Sequence, residues 1–168
     1  EYKRIDRAIV AFNELKLPLV IIGGGSDRNR LEQMAGENIT FLGTVDEDTL
    51  QKHYAHCRAL IFPGEEDFGL APVEAMASGR PVIAFGGGGA LETVKDNVTG
   101  CFFYDPTPAS LAAAVRSFDT EQVDPDTIRA HALQFDVTNF RQKIEDYIQL
   151  CVKGNPPCSV SASSSLNG

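Results

Sequence analysis

Two carboxylates with seven residues between them, Glu66 and Glu74, enclose the part of the sequence best equipped for chemistry. Residues 62–94 read FPGEEDFGLAPVEAMASGRPVIAFGGGGALETV: a strand-like end, an acidic loop, a helix-like run and a glycine tract. An ionised carboxylate only accepts hydrogen bonds and has room for several, so each glutamate can grip adjacent hydroxyls of a sugar or ribose. Gly69 has no Cβ to hold a ligand away from the backbone. The amides of Phe68, Gly69 and Leu70 come just before a predicted helix whose first residue is Pro72, which puts Glu74 in its first turn. Unpaired N–H groups at a helix start, with the partial positive charge there, favour a phosphate. Phosphate-binding amides flanked by hydroxyl-binding carboxylates suit a nucleotide sugar. The spacing alone also fits a plainer arrangement, in which Glu74 only complements the helix dipole and Glu66 is a solvated loop acid.

Positioning these groups takes strands that end where the loops begin. Residues 5–15 carry Ile5, Ile9, Phe12 and Leu15 near helical spacing, an amphipathic helix. Residues 18–22 form a continuous apolar run that ends in Gly23, Gly24 and Gly25, the pattern of a buried parallel strand. A helix over 28–35, a strand over 39–42 closed by Gly43, and a helix capped by Asp46 and running to about His56 come next. The remaining expectations are strands over 59–62, 81–85 and 100–103, and helices over 72–78, 91–94, 108–118, 125–133 and 137–151. Such alternation with short connections predicts an α/β domain, a Rossmann-like parallel sheet with helices on both faces, over residues 1–152. In these sheets ligands bind at the carboxyl ends of the strands, which is where the unusual residues cluster. Residues 153–168, poor in apolar side chains and rich in serine, read as a disordered tail.

Charge and motifs exclude other classes. A formal net charge of −8 argues against nucleic acid or an anionic membrane surface as the main partner, and membrane association of other kinds is left open. It also means that an anionic ligand must be held by local donors against the overall field. Cys57, Cys101, Cys151 and Cys158 lack C-x-x-C spacing and read as free thiols of a reducing cytosol. His53 and His56 lie three apart without further ligands nearby, so no metal or other cofactor is expected. Neither glycine tract forms G-x-G-x-x-G at the first strand–helix turn, and no P-loop sequence is present. Ser78, before Gly79 and Arg80, is explained by a turn at a helix end.

The stretch FGLAPVEAMASGRPVIA, together with the two glutamates as an E-x7-E motif, resembles the signature of the glycosyl transferases group 1 family. LVIIGGG (19–25) and ITFLGTV (39–45) extend the likeness over about residues 1–150. The family comprises retaining enzymes of the GT-B architecture, two facing Rossmann-like domains, and the resemblance implies that this chain is the C-terminal, donor-binding half. It implies that Glu74 holds the donor ribose, that Glu66 holds hydroxyls of the transferred sugar, and that the backbone of Phe68, Gly69 and Leu70 meets sugar and diphosphate. Lys3 matches the lysine placed against the diphosphate, and Gly43, Thr44 and Val45 the turn that meets the base. Glu92 is read as structural.

The mechanism so implied is a same-face displacement without a metal. Positive charge develops on the sugar ring and negative charge on the departing diphosphate, which Lys3 and the helix start stabilise. KRID and FPGEEDFG look like mannosyltransferase-type members, which favours GDP-mannose as donor, with UDP-glucose close behind. Two departures are expected to matter: an N-terminal acceptor-binding domain and the strand before Lys3, with its diphosphate-binding arginine, have no counterpart here. A vacant place in the sheet should follow. A non-catalytic nucleotide-sugar-binding module, or one subunit of a split enzyme, is the alternative.

Overall fold

The computed structural model describes residues 2–153. The chain divides into two compact units, residues 1–133 and 134–168. The first unit runs α1 (Ile5–Leu15), β1 (Leu19–Ile22), α2 (Arg28–Met34), β2 (Ile39–Gly43), α3 (Glu47–His56), β3 (Leu60–Phe62), α4 (Leu70–Ala77), β4 (Val82–Phe85), α5 (Ala90–Thr93), β5 (Gly100–Phe103), α6 (Pro108–Ser117) and α7 (Pro125–Ala132). The described part of the second unit holds α8 (Val137–Val152), with apolar Val137, Phe140, Ile144 and Ile148 at helical spacing. Of the tail expected over 153–168, residues 154–168 lie outside the described residues, as does Cys158. Among the described residues, no helix is long and apolar enough to cross a membrane.

Every strand pair is parallel, and the side-chain alternation of β4 shows why helices cover both faces. Val82 and Ala84 enter a cluster with Ala75 and Met76 of α4, Ala90 of α5 and Ile128 of α7. Ile83, one residue out of phase, enters a second cluster with Ala8, Ile9 and Phe12 of α1 and Leu111 of α6. An all-apolar strand such as VIAF is what burial on both faces requires.

The strands fall into two separate ladders among the described residues. One ladder joins β1 to β2 and another runs β3-β4-β5, so β1 and β3 each present an edge that pairs with no strand among the described residues. Side chains of both ladders nevertheless join one apolar cluster with Ala8, Ile9 and Phe12 of α1: Leu19, Ile21, Ile39 and Phe41 from one, Ile61, Ile83 and Phe103 from the other.

Local signals set most boundaries. The Asp46 carboxylate accepts from the Thr49 amide at 2.8 Å and caps α3. Thr107 and Asp124 cap α6 and α7, each followed by a proline whose missing N–H needs no partner at that position. The exception is α4. It starts at Leu70 with Gly69 as its N-cap, two residues before the expected Pro72. Proline is tolerated in a first turn, so Pro72 marks the inside of the turn and not its start. Glu74 is therefore the fifth helical residue, in the second turn, two residues further from the helix start than its sequence position suggested.

Candidate functional site

The segment before α1 and the glycine tract after β4 both lie against the loop between β3 and α4. Backbone packing explains how Lys3 arrives there. A Cβ on Gly64 would fall 2.7 Å from the Lys3 Cα and carbonyl carbon, and would also strike the Tyr2 carbonyl oxygen. Only glycine lets residues 2–3 lie on this loop. Arg7, buried in α1, ties the same loop down: its Nη1 donates to the Pro63 carbonyl at 2.6 Å, and its guanidinium sits 5.2 Å from the Phe85 ring centroid. Burial lowers the pKa of this guanidinium, and its Nε has no hydrogen-bond partner.

The Lys3 ammonium thereby reaches the Glu66 carboxylate, Nζ to Oε1 at 2.9 Å. Glu66 is mostly covered, its side chain 19% exposed, whereas Lys3 keeps 54%. The hydrogen bond from Lys3 to Glu66 holds the ammonium above its ordinary pKa, against a smaller opposing effect of burial. Glu66 lines an open cleft of about 380 Å³ together with Tyr2, Glu65, Asp67 and Phe68.

The glycine tract after β4 supports the other side of this loop. The Gly89 amide donates to the Glu66 carbonyl at 2.8 Å. A Cβ on Gly89 would fall 2.5 Å from the Phe68 Cα and 2.6 Å from its carbonyl oxygen, and one on Gly88 2.5 Å from the Glu66 carbonyl oxygen. The tract is a surface on which the 66–68 backbone rests.

Beyond Phe68, Gly69 adopts φ 76°, a conformation that glycine takes at no steric cost. No side chain caps α4, so the first-turn amides of Leu70 and Ala71 receive no side-chain oxygen. Such amides, with the helix dipole behind them, can donate to an anionic oxygen. Leu70 itself is exposed. Glu74 is exposed as well, and its Oε2 accepts from the Tyr54 hydroxyl at 3.0 Å.

Gly43, Thr44 and Val45 form the turn at the end of β2, where the Gly23 amide donates to the Gly43 carbonyl at 2.8 Å. Glu92 lies exposed in the first turn of α5. The structure thus joins Lys3 to Glu66 directly, sets Phe68 in the wall of their cleft, and gives Glu74 a separate partner. Sequence reasoning missed Tyr54 and Arg7. Tyr54 follows Leu50 by four residues on α3, a stripe that could have marked it as inward-facing; nothing in the sequence distinguishes a buried Arg7 from a surface one. A second hollow, of about 210 Å³ and lined by Arg58, Gly79, Arg80 and Pro81, lies at the opposite, amino ends of β3 and β4.

No group of three or more His, Cys, Asp or Glu side chains is poised to hold a metal among the described residues. The three described cysteines are all free thiols, and burial pushes Cys101 up to about 11.

Solved structures place this architecture in the C-terminal half of GT-B glycosyltransferases. The sucrose-phosphate synthase of Thermosynechococcus elongatus superposes with a TM-score of 0.79 at 27% identity, covering 90% of this chain and 43% of that one. Anabaena HepE, solved in complex with UDP-glucose, gives 0.75 at 25% identity, covering 88% and 45%. Residues 1–134 match the glycosyl transferases group 1 family, and the chain belongs to it. An uncharacterized glycosyltransferase of Methanocaldococcus jannaschii is 38% identical over 103 residues, 58% of this chain and 26% of that protein. The alpha-1,3/1,6-mannosyltransferase of Dictyostelium discoideum is 35% identical over 99 residues, 58% of this chain and 23% of that protein. The chain thus spans about a quarter of the length of these curated relatives.

Proposed function

We propose that the chain binds a nucleoside diphosphate hexose, GDP-mannose in preference to UDP-glucose, as the donor side of a retaining glycosyltransferase. The observation that carries this reading is the Lys3–Glu66 contact at 2.9 Å on the edge of the cleft. A cation and a hydroxyl-binding carboxylate meet where the diphosphate–sugar bond would lie. Donor entry exchanges their partners: Lys3 turns to the diphosphate, and Glu66 accepts from sugar hydroxyls. The uncapped amides of Leu70 and Ala71 add donors for the phosphate oxygens. Glu74 takes the ribose, and the 43–45 turn meets the base.

In the reaction, the anomeric carbon loses its bond to the diphosphate oxygen and gains one to an acceptor hydroxyl on the same face. The acceptor proton passes to the departing phosphate. Lys3 stabilises the charge that grows on that phosphate, an interaction stronger in the transition state than before it. Turnover requires a second, acceptor-binding domain alongside this chain. The preference for mannose is supported by the mannosyltransferases among its relatives. Calorimetric titration of the chain with GDP-mannose, UDP-glucose and ADP-glucose tests the proposal. Tightest binding of GDP-mannose is expected; tighter binding of UDP-glucose would reverse the donor assignment, and no binding of any would sink the donor-site reading.

A further inference from the structure

Glu74 is an exposed, flexible side chain on the second turn of α4, and a ribose site needs its carboxylate held in one orientation. Ordering a free glutamate side chain on binding costs conformational entropy that a preorganised one does not lose again. The structure supplies a holder. Tyr54, the eighth residue of α3, packs its ring against the core cluster of Phe62, Ala75, Met76 and Val82. From that half-buried base its hydroxyl donates to Glu74 Oε2 at 3.0 Å. Burial first, and the neighbouring Glu74 charge second, keep the phenol protonated far above its usual range, so it remains a donor at every working pH.

We propose that Tyr54 is a positioning residue for ribose recognition, fixing the Glu74 carboxylate so that it meets the ribose hydroxyls in a set orientation. A carboxylate has about four lone-pair sites. Tyr54 takes one on Oε2, which leaves Oε1 and the rest of Oε2 for a vicinal diol. A quarter turn about the last side-chain bond of Glu74 would break the Tyr54 contact, whereas a half turn only exchanges its two equivalent oxygens, so the anchor selects the plane of the carboxylate without blocking it. The inference rests on the assignment of Glu74 to the ribose. It adds to that assignment a residue from another helix, which never touches the ligand.

Because the ring is kept, Tyr54→Phe preserves the packing of α3 and removes only the hydroxyl. Affinities of the full chain for GDP and UDP, and for their 2′,3′-dideoxy counterparts, would be measured by titration for wild type and Tyr54→Phe, with thermal melts as a check on folding. Tyr54→Phe should weaken binding of the better-bound diphosphate on the order of 10-fold. Wild type and variant should bind the dideoxy form equally, because without the hydroxyls the orientation of Glu74 no longer matters. Equal weakening of both forms would mark Tyr54 as a structural tie between α3 and α4 and overturn the inference, as would no weakening of either. A folded wild type that binds neither diphosphate would instead overturn the donor-site reading beneath it.

Discussion

Replacing Gly89 with alanine sets two physical effects against each other, and the structure decides the sign. Gly89 has φ −63° and ψ −17°, a conformation any residue adopts readily. By chain entropy alone, Gly→Ala at such a position stabilises by about 0.4–1 kcal/mol. Yet the new methyl would lie 2.5 Å from the Phe68 Cα and 2.6 Å from its carbonyl oxygen, and would also strike the Asp67 carbonyl. These are backbone atoms, and contact distances of 3.5–4.0 Å are what carbon packing tolerates. The 66–68 loop must therefore retreat by roughly 1 Å. Overpacking of this kind costs about 1–3 kcal/mol and outweighs the entropic gain. At about 2–4 °C per kcal/mol, the overpacking lowers Tm by roughly 2–12 °C, of which the entropic gain offsets about 1–4 °C.

The displaced loop carries Glu66, so affinity for the nucleotide sugar should fall as well. Gly25→Ala is the control: a Cβ there meets nothing within 4 Å, and its Tm should stay level or rise slightly. Thermal melts of both variants beside wild type make the comparison. A Gly89→Ala protein that melts at or above wild type would refute the claim that the glycine tract supports the site by close backbone contact.

Two further outcomes concern pH. The Lys3 pKa is raised in the folded state by its hydrogen bond to Glu66, so its contribution is present below the unfolded value and lost as pH climbs through the folded one. The wild-type advantage over Lys3→Met, at most about 1 kcal/mol for so exposed a pair, should therefore shrink above about pH 10.4 in melts across that range. Asp46 behaves oppositely. Its pKa is lowered by the Thr49 hydrogen bonds, so its cap stabilises above about pH 3.9 and fades on acidification. Asp46→Ala should melt below wild type at neutral pH, with the gap closing at acid pH in the same assay.

Most of the scaffold was legible because its signals are local. The Ile5, Ile9, Phe12 stripe defined α1 to the residue, and Asp46 announced α3 by a short side chain at its start, whereas the caps of α6 and α7, Thr107 and Asp124, emerged only from the structure. The start of α4 was misread because proline is so often the first helical residue that Pro72 masked the glycine N-cap three residues earlier. The site was legible in part. Spacing singled out Glu66 and Glu74, and the resemblance added Lys3, but the contacts that position them join distant parts of the chain. Gly64 beneath residues 2–3, Arg7 on the Pro63 carbonyl, and Tyr54 on Glu74 span separations no local pattern encodes.

The central claim, a nucleoside diphosphate sugar site that includes Glu74, is tested most directly by melting wild type and Glu74→Ala with GDP-mannose and UDP-glucose. Ligand at 100 times its dissociation constant adds about 2.7 kcal/mol, which for a chain of this size raises Tm by roughly 5–10 °C. That rise is expected for one sugar nucleotide in the wild type, and its loss in a Glu74→Ala protein that still folds. A folded wild type that no nucleotide stabilises, or a Glu74→Ala variant stabilised as fully as wild type, would contradict it.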